Sequence, residues 1–197
     1  MFMEGIHVTG AAGAGVTTLG GALAGGLGYE HLDTDDFYWL PTDPPYREKR
    51  DAAARITMLK SAFDHAKRGW VLSGSIGDWG EPLILHFGLV IYLYTPLELR
   101  LRRLAERETR RFGDEIAPGG RRHEEYRAFM DWAAGYEPGG RPGRTKAFHE
   151  GWLRELRCPV RRLDGSEALD ALVSEARRAW EACRPGGGGG AGAISSR

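Results

Sequence analysis

The residues that point most directly to chemistry lie between Gly10 and Thr17, where a glycine-rich turn joins an apolar segment to a helix-like one. Gly10 and Gly15 have the spacing of the phosphate-binding pattern G-x-x-x-x-G-K-[ST], and Thr17 occupies its hydroxyl position. Glycines let backbone N–H groups point into one hollow, and a helix N-terminus adds unpaired donors and its positive dipole end. The stretch therefore predicts a phosphate site, with Thr17 offering a hydroxyl to Mg²⁺.

The lysine of this pattern is missing, because Val16 stands in its place. That lysine normally contacts the β- and γ-phosphates. Two interpretations therefore remain open from this stretch alone: a phosphate loop without its lysine, and a glycine-rich turn that binds no ligand.

Three carboxylates follow the second apolar segment, in the run Asp33-Thr34-Asp35-Asp36. Ligands of open α/β sheets bind beyond the carboxyl ends of the strands, so Asp33 and Asp35 could flank one site. Aspartates are also typical of a helix N-terminus, which is the alternative interpretation. Since one helix cap needs only one of the three, we favour a functional role.

Two further sets of residues are candidates for contacts to a substrate. A second glycine-rich loop, residues 74–80, follows the apolar segment 70–73 and is either a plain turn or a substrate contact. A helix predicted from Pro96 onward carries six arginines, most of which we expect on a solvated face: Arg100, Arg102, Arg103, Arg107, Arg110 and Arg111. Arg103 and Arg107 lie four residues apart, so they share one side of the helix and point towards the segment that follows.

The overall composition argues against several classes of partner. Lys plus Arg and Asp plus Glu number 27 each, so no net charge attracts nucleic acid or a membrane surface. No apolar run has the length of a membrane span, and the first residues lack the basic region of a signal peptide. Cys158 and Cys183 lack metal-ligand spacing, so we expect free thiols and a cytoplasmic location.

Apolar strands alternate with amphipathic helices along residues 1–184, which predicts a three-layer α/β/α domain around a mostly parallel sheet. About five strands are expected, at 6–8, 29–32, 70–73, 89–94 and 158–163. Helices are expected at 17–27, 47–68, from 96, at about 126–133, at 148–156 and after Ser166 as N-cap. Residues from about 108 to 146 form a lid-like insertion, called the predicted lid below, and the glycine-rich tail 185–197 is predicted to be disordered.

Taken in order, these motifs resemble those of the P-loop small-molecule kinases, which include nucleoside monophosphate kinases, shikimate kinase and gluconate kinase. Residues 10–17 are similar to their phosphate loop, and Asp33-Thr34-Asp35 resembles the D-x-D of shikimate kinase. Ser73-Gly74-Ser75 lies where these enzymes have their acceptor loop. The run Arg103-Leu104-x-x-Arg107 is similar to the adenylate-kinase pattern ahead of the lid, and Asp164-Gly165 lies where the adenine-contacting loop belongs.

The resemblance covers residues 4–183 and implies a P-loop NTPase fold with ATP and Mg²⁺ as cofactors. It implies nucleotide contacts from Gly10, Ala12, Gly13, Ala14, Gly15, Val16, Thr17, Thr18, Arg103, Arg107 and Asp164. It implies metal contacts from Thr17 and Asp33, and acceptor contacts from Asp35, Asp36, Gly74, Ser75 and Arg55. The catalytic roles fall to Asp33, Asp35, Arg107 and Arg111.

The chain departs from the kinase pattern at Val16 and at Ser73, where a Walker B aspartate is expected. Our first hypothesis is an ATP·Mg²⁺-dependent phosphotransferase in which arginines replace the lysine: Arg107, Arg110, Arg111, or one of Arg141 and Arg144. Asp35 would then orient or deprotonate an acceptor hydroxyl. The Arg103 motif favours a nucleoside monophosphate as acceptor, and a small hydroxy acid is the alternative.

A second hypothesis belongs to another class: a nucleotide-binding module without catalysis, acting as sensor or scaffold. Under the first hypothesis the partners are a nucleotide and a small acceptor, with no nucleic acid or membrane. Either a monomer or a homodimer is expected. Four basic residues at the start of the helix predicted over 47–68 could grip an anionic acceptor: Arg47, Lys49, Arg50 and Arg55. The alternative, which is more common for exposed helix residues, is that they have no such role.

Overall fold

A five-stranded parallel sheet forms the centre of the chain. The computed structural model describes residues 5–43, 45–77, 79–139 and 143–184. The strands are β1 (Gly5–Gly10), β2 (Glu30–Asp33), β3 (Trp70–Ser73), β4 (Phe87–Tyr94) and β5 (Val160–Asp164). They lie in the order β2-β3-β1-β4-β5, and each neighbouring pair is parallel. The predicted sheet is confirmed, and the tail 185–197 lies outside the described residues.

Helices cover both faces of this sheet. Within the described ranges they are α1 (Val16–Leu27), α2 (Thr34–Tyr38), α3 (Ala52–His65), α4 (Leu97–Phe112), α5 (His123–Ala134), α6 (Lys146–Glu155) and α7 (Leu169–Cys183). Two 3₁₀ segments cover Glu81–His86 and Gly113–Ile116. None of the helices described is long and apolar enough to cross a bilayer.

Alternation along the strands divides the core into two layers of apolar side chains. Ile6 and Val8 of β1 face α1 and α7, in a cluster completed by Val16, Leu19, Leu23, Ile91, Leu172 and Trp180. On the opposite face, Leu72 and Val90 pack against α3 and α6, with Leu59, Phe63, Tyr92 and Leu153. The three-layer α/β/α architecture expected from the sequence is therefore confirmed.

Strand order brings three loops to one edge of the sheet. The central strand β1 has β3 on one side and β4 on the other, so the crevice beside it lies where the chain reverses direction across the sheet. The loop after β1 adjoins the loop after β3, where the backbone N–H of Gly74 donates to the carbonyl of Val8 at 3.0 Å. Asp33 lies opposite Ser73 in the ladder of β2 with β3.

Two predicted helix starts are wrong. The helix expected from residue 47 begins at Ala52, because Asp51 caps it by accepting from the backbone N–H groups of Ala53 and Ala54 at 2.9 and 3.2 Å. Arg47, Lys49 and Arg50 therefore lie in the preceding loop and not on the helix. Ser166 does not cap the last helix either, since its amide and hydroxyl both donate to Asp164 Oδ1, at 2.9 and 2.7 Å.

Gly20 lets α1 lie directly against the end of β3. A methyl group added at Gly20 would stand 1.9 Å from Ser73 Oγ, which is fully buried. We expect Gly20→Ala to lower the free energy of unfolding by about 1–3 kcal/mol, the usual cost of overpacking a core. Urea denaturation followed by circular dichroism measures this loss.

Gly25→Ala in the same helix is the matched control, because nothing lies within 4 Å of its added methyl group. Since alanine is favoured over glycine inside helices, it should raise stability by about 0.5–1 kcal/mol. Removing the clashing oxygen with Ser73→Ala should restore part of the stability that Gly20→Ala loses. Equal stabilities of Gly20→Ala and Gly25→Ala would contradict the close approach of α1 to the end of β3.

Candidate functional site

The loop after β1 has the backbone of an anion-binding hollow. Gly13 and Gly15 adopt φ values of 78° and 98°, in the left-handed region that favours glycine. A Cβ on Gly10 would stand 2.5 Å from the carbonyl oxygen of Leu93. No described residue accepts a hydrogen bond from the backbone N–H of Gly13, Gly15 or Val16. The loop therefore presents free donors at the N-terminus of α1, where an anion is stabilised.

Val16 contributes no charge to this hollow. Its side chain is 8% exposed and packs into the core cluster beneath the loop, with Leu19 and Leu23 of the same helix. Backbone donors and the dipole of α1 are the only attraction that the loop segment itself offers to a phosphate group.

Arg103 is held against the outer side of the loop. Its Nη1 donates to the carbonyl of Ala14 at 3.2 Å, and its Nη2 donates to the carbonyl of Gly165 at 3.1 Å. A Cβ on Gly15 would lie 3.6 Å from the same Nη1. The segment Asp164-Gly165, predicted to contact the nucleotide, is thereby joined to the loop, although the Asp164 carboxylate is exposed and accepts from Ser166.

The arginines predicted to replace the lysine lie further along the chain than Arg103. Arg107 pairs with Glu108 at 2.9 Å and is 55% exposed. Arg111 lies over the rings of Tyr46 and Phe112, at 5.0 and 5.1 Å, and Arg110 is exposed. Arg144 stacks on Trp132 at 5.2 Å and lies close enough to lower the pKa of Asp35. Arg141 lies outside the described residues.

Thr17 and Asp33, the predicted metal contacts, meet directly. The Thr17 hydroxyl donates to Asp33 Oδ2 at 2.8 Å. Asp33 Oδ1 accepts from the backbone N–H of Asp35 at 3.0 Å and so caps α2. Asp33 is therefore a helix cap, as the alternative interpretation of the acidic run has it, and it is also hydrogen-bonded to the loop after β1. Its predicted role in ligand binding stays a prediction.

Hydroxyl and carboxylate oxygens are ligands that Mg²⁺ prefers, so this pair fits the ion. Among the described residues no group of three or more His, Cys, Asp and Glu side chains could hold a metal. A magnesium ion here would need further oxygens from phosphate groups and water, which is its usual mode of binding to nucleotides.

Asp35 is the most perturbed carboxylate of this edge. Asp35 is exposed in the first turn of α2, but its neighbours remove part of its hydration and this raises the pKa of Asp35; the negative charges of Asp33 and Asp36 raise it further. Arg144 acts in the opposite direction. A carboxylate with a raised pKa accepts a proton more readily, which suits a general base. Asp36 is exposed in the first turn of α2.

Ser73 and Gly74 have structural roles at the end of β3. The fully buried Ser73 hydroxyl lies 2.9 Å from His31 Nε2 and donates to the carbonyl of Val16 at 3.4 Å, so it supports the start of α1. Gly74 has φ 112°, and its Cβ would lie 1.9 Å from Thr34 Oγ1, which brings the acceptor loop against α2. Ser75 lines a narrow crevice with His7, Thr9 and His149.

Arg55, predicted to contact the acceptor, is a rigidly held cation in the first turn of α3. It is 7% exposed, its guanidinium lies 3.8 Å over the ring of Tyr38 and 5.3 Å from that of Trp79, and its Nε donates to the carbonyl of Arg50 at 2.6 Å. No described residue accepts a hydrogen bond from its two terminal nitrogens. The side chain can therefore present both of them to an anion.

Sequence reasoning missed a set of buried polar residues behind the loop. Arg100, expected on a solvated face, is fully buried. Tyr92, Tyr136 and His149 form a hydrogen-bonded chain with contacts of 2.8 and 2.7 Å. Burial lowers the pKa of His7 to about 4 and that of His149 to about 3, so both are neutral at physiological pH. The signal that could have placed Arg100 inward is its position four residues before Leu104, on the same buried face of α4.

Comparison with known proteins finds relatives over most of the chain and over part of it. No family model matches the chain. The uncharacterised protein YqaC of Bacillus subtilis (strain 168) is 38% identical over 170 residues, which covers 86% of this chain and 93% of that protein. A shikimate kinase of Nostoc punctiforme is 34% identical over 116 residues, but the match covers 53% of this chain and 62% of the enzyme.

Solved structures share the fold at low sequence identity. A shikimate kinase from Acinetobacter baumannii in complex with shikimate has a TM-score of 0.53 and 20% identity, covering 90% of this chain and 92% of that one. A gluconokinase from Sinorhizobium meliloti 1021 has a TM-score of 0.51 and 16% identity, covering 91% of this chain and 92% of that one. A deoxyadenosine kinase from M. mycoides has a TM-score of 0.51 and 15% identity, covering 90% of this chain and 99% of that one. The predicted P-loop kinase fold is confirmed.

The raised pKa of Asp35 predicts a pH-dependent cost to stability. Because the folded state binds this proton more tightly than the unfolded chain, the contribution of Asp35 is favourable at low pH and is lost as pH rises through its folded pKa. We expect Asp35→Asn to raise the thermal unfolding midpoint at neutral pH. The gain should shrink as pH falls towards the ordinary value near 3.8.

Asp170→Asn is the control, since Asp170 also lies in the first turn of a helix. It should lose the favourable interaction with the helix N-terminus, worth about 0.3–1 kcal/mol, and become slightly less stable. Calorimetric melting of both variants at neutral and acid pH makes the comparison. A lower unfolding midpoint for Asp35→Asn than for the wild type at neutral pH would refute the prediction that the Asp35 charge destabilises the fold.

Proposed function

The chain belongs to the same family as YqaC of Bacillus subtilis and has the fold of P-loop small-molecule kinases, and from this premise we propose that it is an ATP·Mg²⁺-dependent phosphotransferase acting on a small anionic acceptor. The observation that carries the proposal is the 2.8 Å hydrogen bond from Thr17 to Asp33, which joins the phosphate loop to the acidic run. A turn that bound no ligand would not need a hydroxyl and a carboxylate brought together beside unpaired amides.

Each part of the site has a separate task in this proposal. The amides of Gly13, Gly15 and Val16 would bind phosphate oxygens, and Thr17 with Asp33 would hold Mg²⁺. ATP and Mg²⁺, when bound, supply the phosphoryl group and neutralise part of its charge. Positioning of the two substrates in line would then supply most of the rate enhancement.

Asp35 and Arg55 support a hydroxyl-bearing anion as acceptor. The raised pKa of Asp35 favours taking a proton from a hydroxyl group, a step that a phosphate acceptor does not need. Arg55 offers a planar fork that matches a carboxylate or phosphate. We therefore propose a small hydroxy acid, the second acceptor class of the sequence analysis, ahead of a nucleoside monophosphate.

The charge of the missing lysine would come from arginines. Arg103 already lies beside Gly15, where its terminal nitrogens donate to the carbonyls of Ala14 and Gly165. Arg107 lies in α4 just before the predicted lid, and Arg111 and Arg144 lie within it. A guanidinium binds phosphate oxygens through two parallel hydrogen bonds, which a lysine ammonium does not do. Closure of the predicted lid would bring these groups over the phosphates and exclude water.

A second candidate function is a nucleotide-binding module without catalysis. The observation that favours it is the burial of Val16 in the core, which leaves no cation at that position of the loop. Calorimetry with a non-hydrolysable ATP analogue and phosphorus NMR with ATP and an acceptor panel separate the two functions. Binding without transfer to any hydroxy acid or nucleoside monophosphate would support the module and contradict the kinase.

We predict that Thr17→Ala lowers phosphoryl transfer by about 100-fold or more, since the loss of an outer-sphere metal partner already costs 10–100-fold. The variant should remain folded, because Thr17 is exposed and one surface hydrogen bond is worth only about 1 kcal/mol. Initial rates at several Mg²⁺ concentrations measure the effect. Thr57→Ala removes a comparable hydroxyl from the exposed side of α3 and should leave the rate unchanged.

Arg55→Gln should raise the KM of the acceptor with little change in the KM of ATP. Charge-assisted hydrogen bonds contribute about 1.5–3 kcal/mol, which corresponds to roughly 10- to 150-fold in affinity. Steady-state kinetics with both substrates varied gives the two constants. Arg154→Gln, at an exposed arginine of α6, is the control and should change neither. An unchanged acceptor KM would remove Arg55 from the acceptor site.

A further inference from the structure

We propose that Arg100 is a positioning residue for the phosphate loop. Its buried guanidinium holds the peptide group between Ala12 and Gly13, so that the Gly13 N–H faces the bound phosphate, and it joins this peptide to the end of the predicted lid through Glu137. The inference rests on the proposed binding of a nucleotide by the loop.

All three nitrogens of the Arg100 guanidinium donate hydrogen bonds. Nε donates to the carbonyl of Thr95 at 3.2 Å, and Nη1 donates to the carbonyls of Ala12 and Ala133 at 3.2 and 3.3 Å. Nη2 donates to both carboxylate oxygens of Glu137, at 2.8 and 2.6 Å. One planar group thus connects the end of β4, the phosphate loop and the last turn of α5.

Fixing a carbonyl fixes the amide that shares its peptide plane. In a planar trans peptide the C=O and N–H bonds point in opposite directions. Because Arg100 holds the Ala12 oxygen from outside the loop, the N–H of Gly13 is turned towards the hollow. Gly13 itself has no room for a side chain, since a Cβ there would lie 2.7 Å from the carbonyl oxygen of Arg100.

The peptide group between Ala14 and Gly15 is held by other residues, so it serves as an internal reference for the peptide group between Ala12 and Gly13. The carbonyl of Ala14 accepts from Thr95 Oγ1 at 3.0 Å and from Arg103 Nη1 at 3.2 Å, and this orients the Gly15 N–H by the same geometry. Loss of the Arg100 contact should therefore affect Gly13 and leave Gly15 in place.

Burying Arg100 is costly, which argues that its position has a purpose. A fully buried charge loses its hydration, and an apolar side chain of similar volume is often as stable or more so at such a site. Glu137, with a side chain 23% exposed, and the ring of Tyr136 at 5.2 Å compensate the charge. An apolar residue could not reach the Ala12 carbonyl. In a loop without its lysine, donors oriented in advance reduce the cost of binding a phosphate.

Nitrogen-15 NMR relaxation of the nucleotide-free protein tests the proposal directly. In the wild type we expect equal order parameters for the Gly13 and Gly15 amides, near 0.85 as in rigid backbone. In Arg100→Lys, which keeps the charge but loses the planar fork, the order parameter of the Gly13 amide should fall below about 0.6 while that of Gly15 stays near its wild-type value. Glu137→Gln keeps the arginine but loses one acceptor oxygen, and it should also lower the order parameter of Gly13.

Glu150→Gln is the matched control, because Glu150 also holds an arginine through both carboxylate oxygens, Arg162 at 2.8 and 2.6 Å, at the surface. Glu150→Gln should leave the order parameter of the Gly13 amide unchanged. Thermal melts establish that each variant is folded, and Glu137→Gln alone decides the question if Arg100→Lys does not fold. A wild-type order parameter for Gly13 in folded Arg100→Lys and Glu137→Gln overturns the proposal.

Calorimetry with Mg²⁺ and a non-hydrolysable ATP analogue links this geometry to function. We expect Arg100→Lys and Glu137→Gln to weaken binding by about 10-fold, and Glu150→Gln to have no effect. Weaker binding with an unchanged Gly13 would also overturn the proposal, since Arg100 would then act by another route. If the wild type binds no analogue, the proposed function fails, whereas the relaxation data still decide whether Arg100 orients Gly13.

Discussion

The carbonyl side of the phosphate loop is held from outside, and the arrangement of the site depends on this constraint. Thr95, Arg100 and Arg103 occupy the carbonyls of Ala12 and Ala14, so the amides of the same peptide groups face inward. All three residues lie at the junction of β4 with α4. Because β4 neighbours β1 in the sheet, strand order determines that this junction meets the loop.

A second constraint comes from the other neighbour of the loop. Asp33 ends β2, caps α2 with one oxygen and accepts from Thr17 with the other. The carboxylate is thus fixed by secondary structure before any ligand binds, and α2 carries Asp35 and the Tyr38 ring beneath Arg55 to the same edge. Asp33 thus joins the loop after β1 to α2, and in the proposed function it would link the nucleotide and acceptor sides of the cleft.

The sequence predicted the features that depend on local chemistry. Alternating apolar segments fixed the number of strands, and glycine spacing located Gly13 and Gly15, whose positive φ no other residue type adopts as easily. Features that depend on distant neighbours were missed. Arg100 belongs to an arginine-rich helix, and its burial requires Glu137 and Ala133 from a segment far along the chain. The helix predicted from residue 47 started too early because Asp51 provides a stronger start signal than the basic residues before it.

The buried position of Val16 has a consequence for where positive charge can come from. Its methyl groups fill space between the loop and the core, and one lies 3.1 Å from where a Cβ on Gly10 would stand. A lysine at this position would either leave that space empty or place an ammonium inside it. A phosphate bound by the loop would therefore have to obtain its side-chain counter-charge from residues outside the loop.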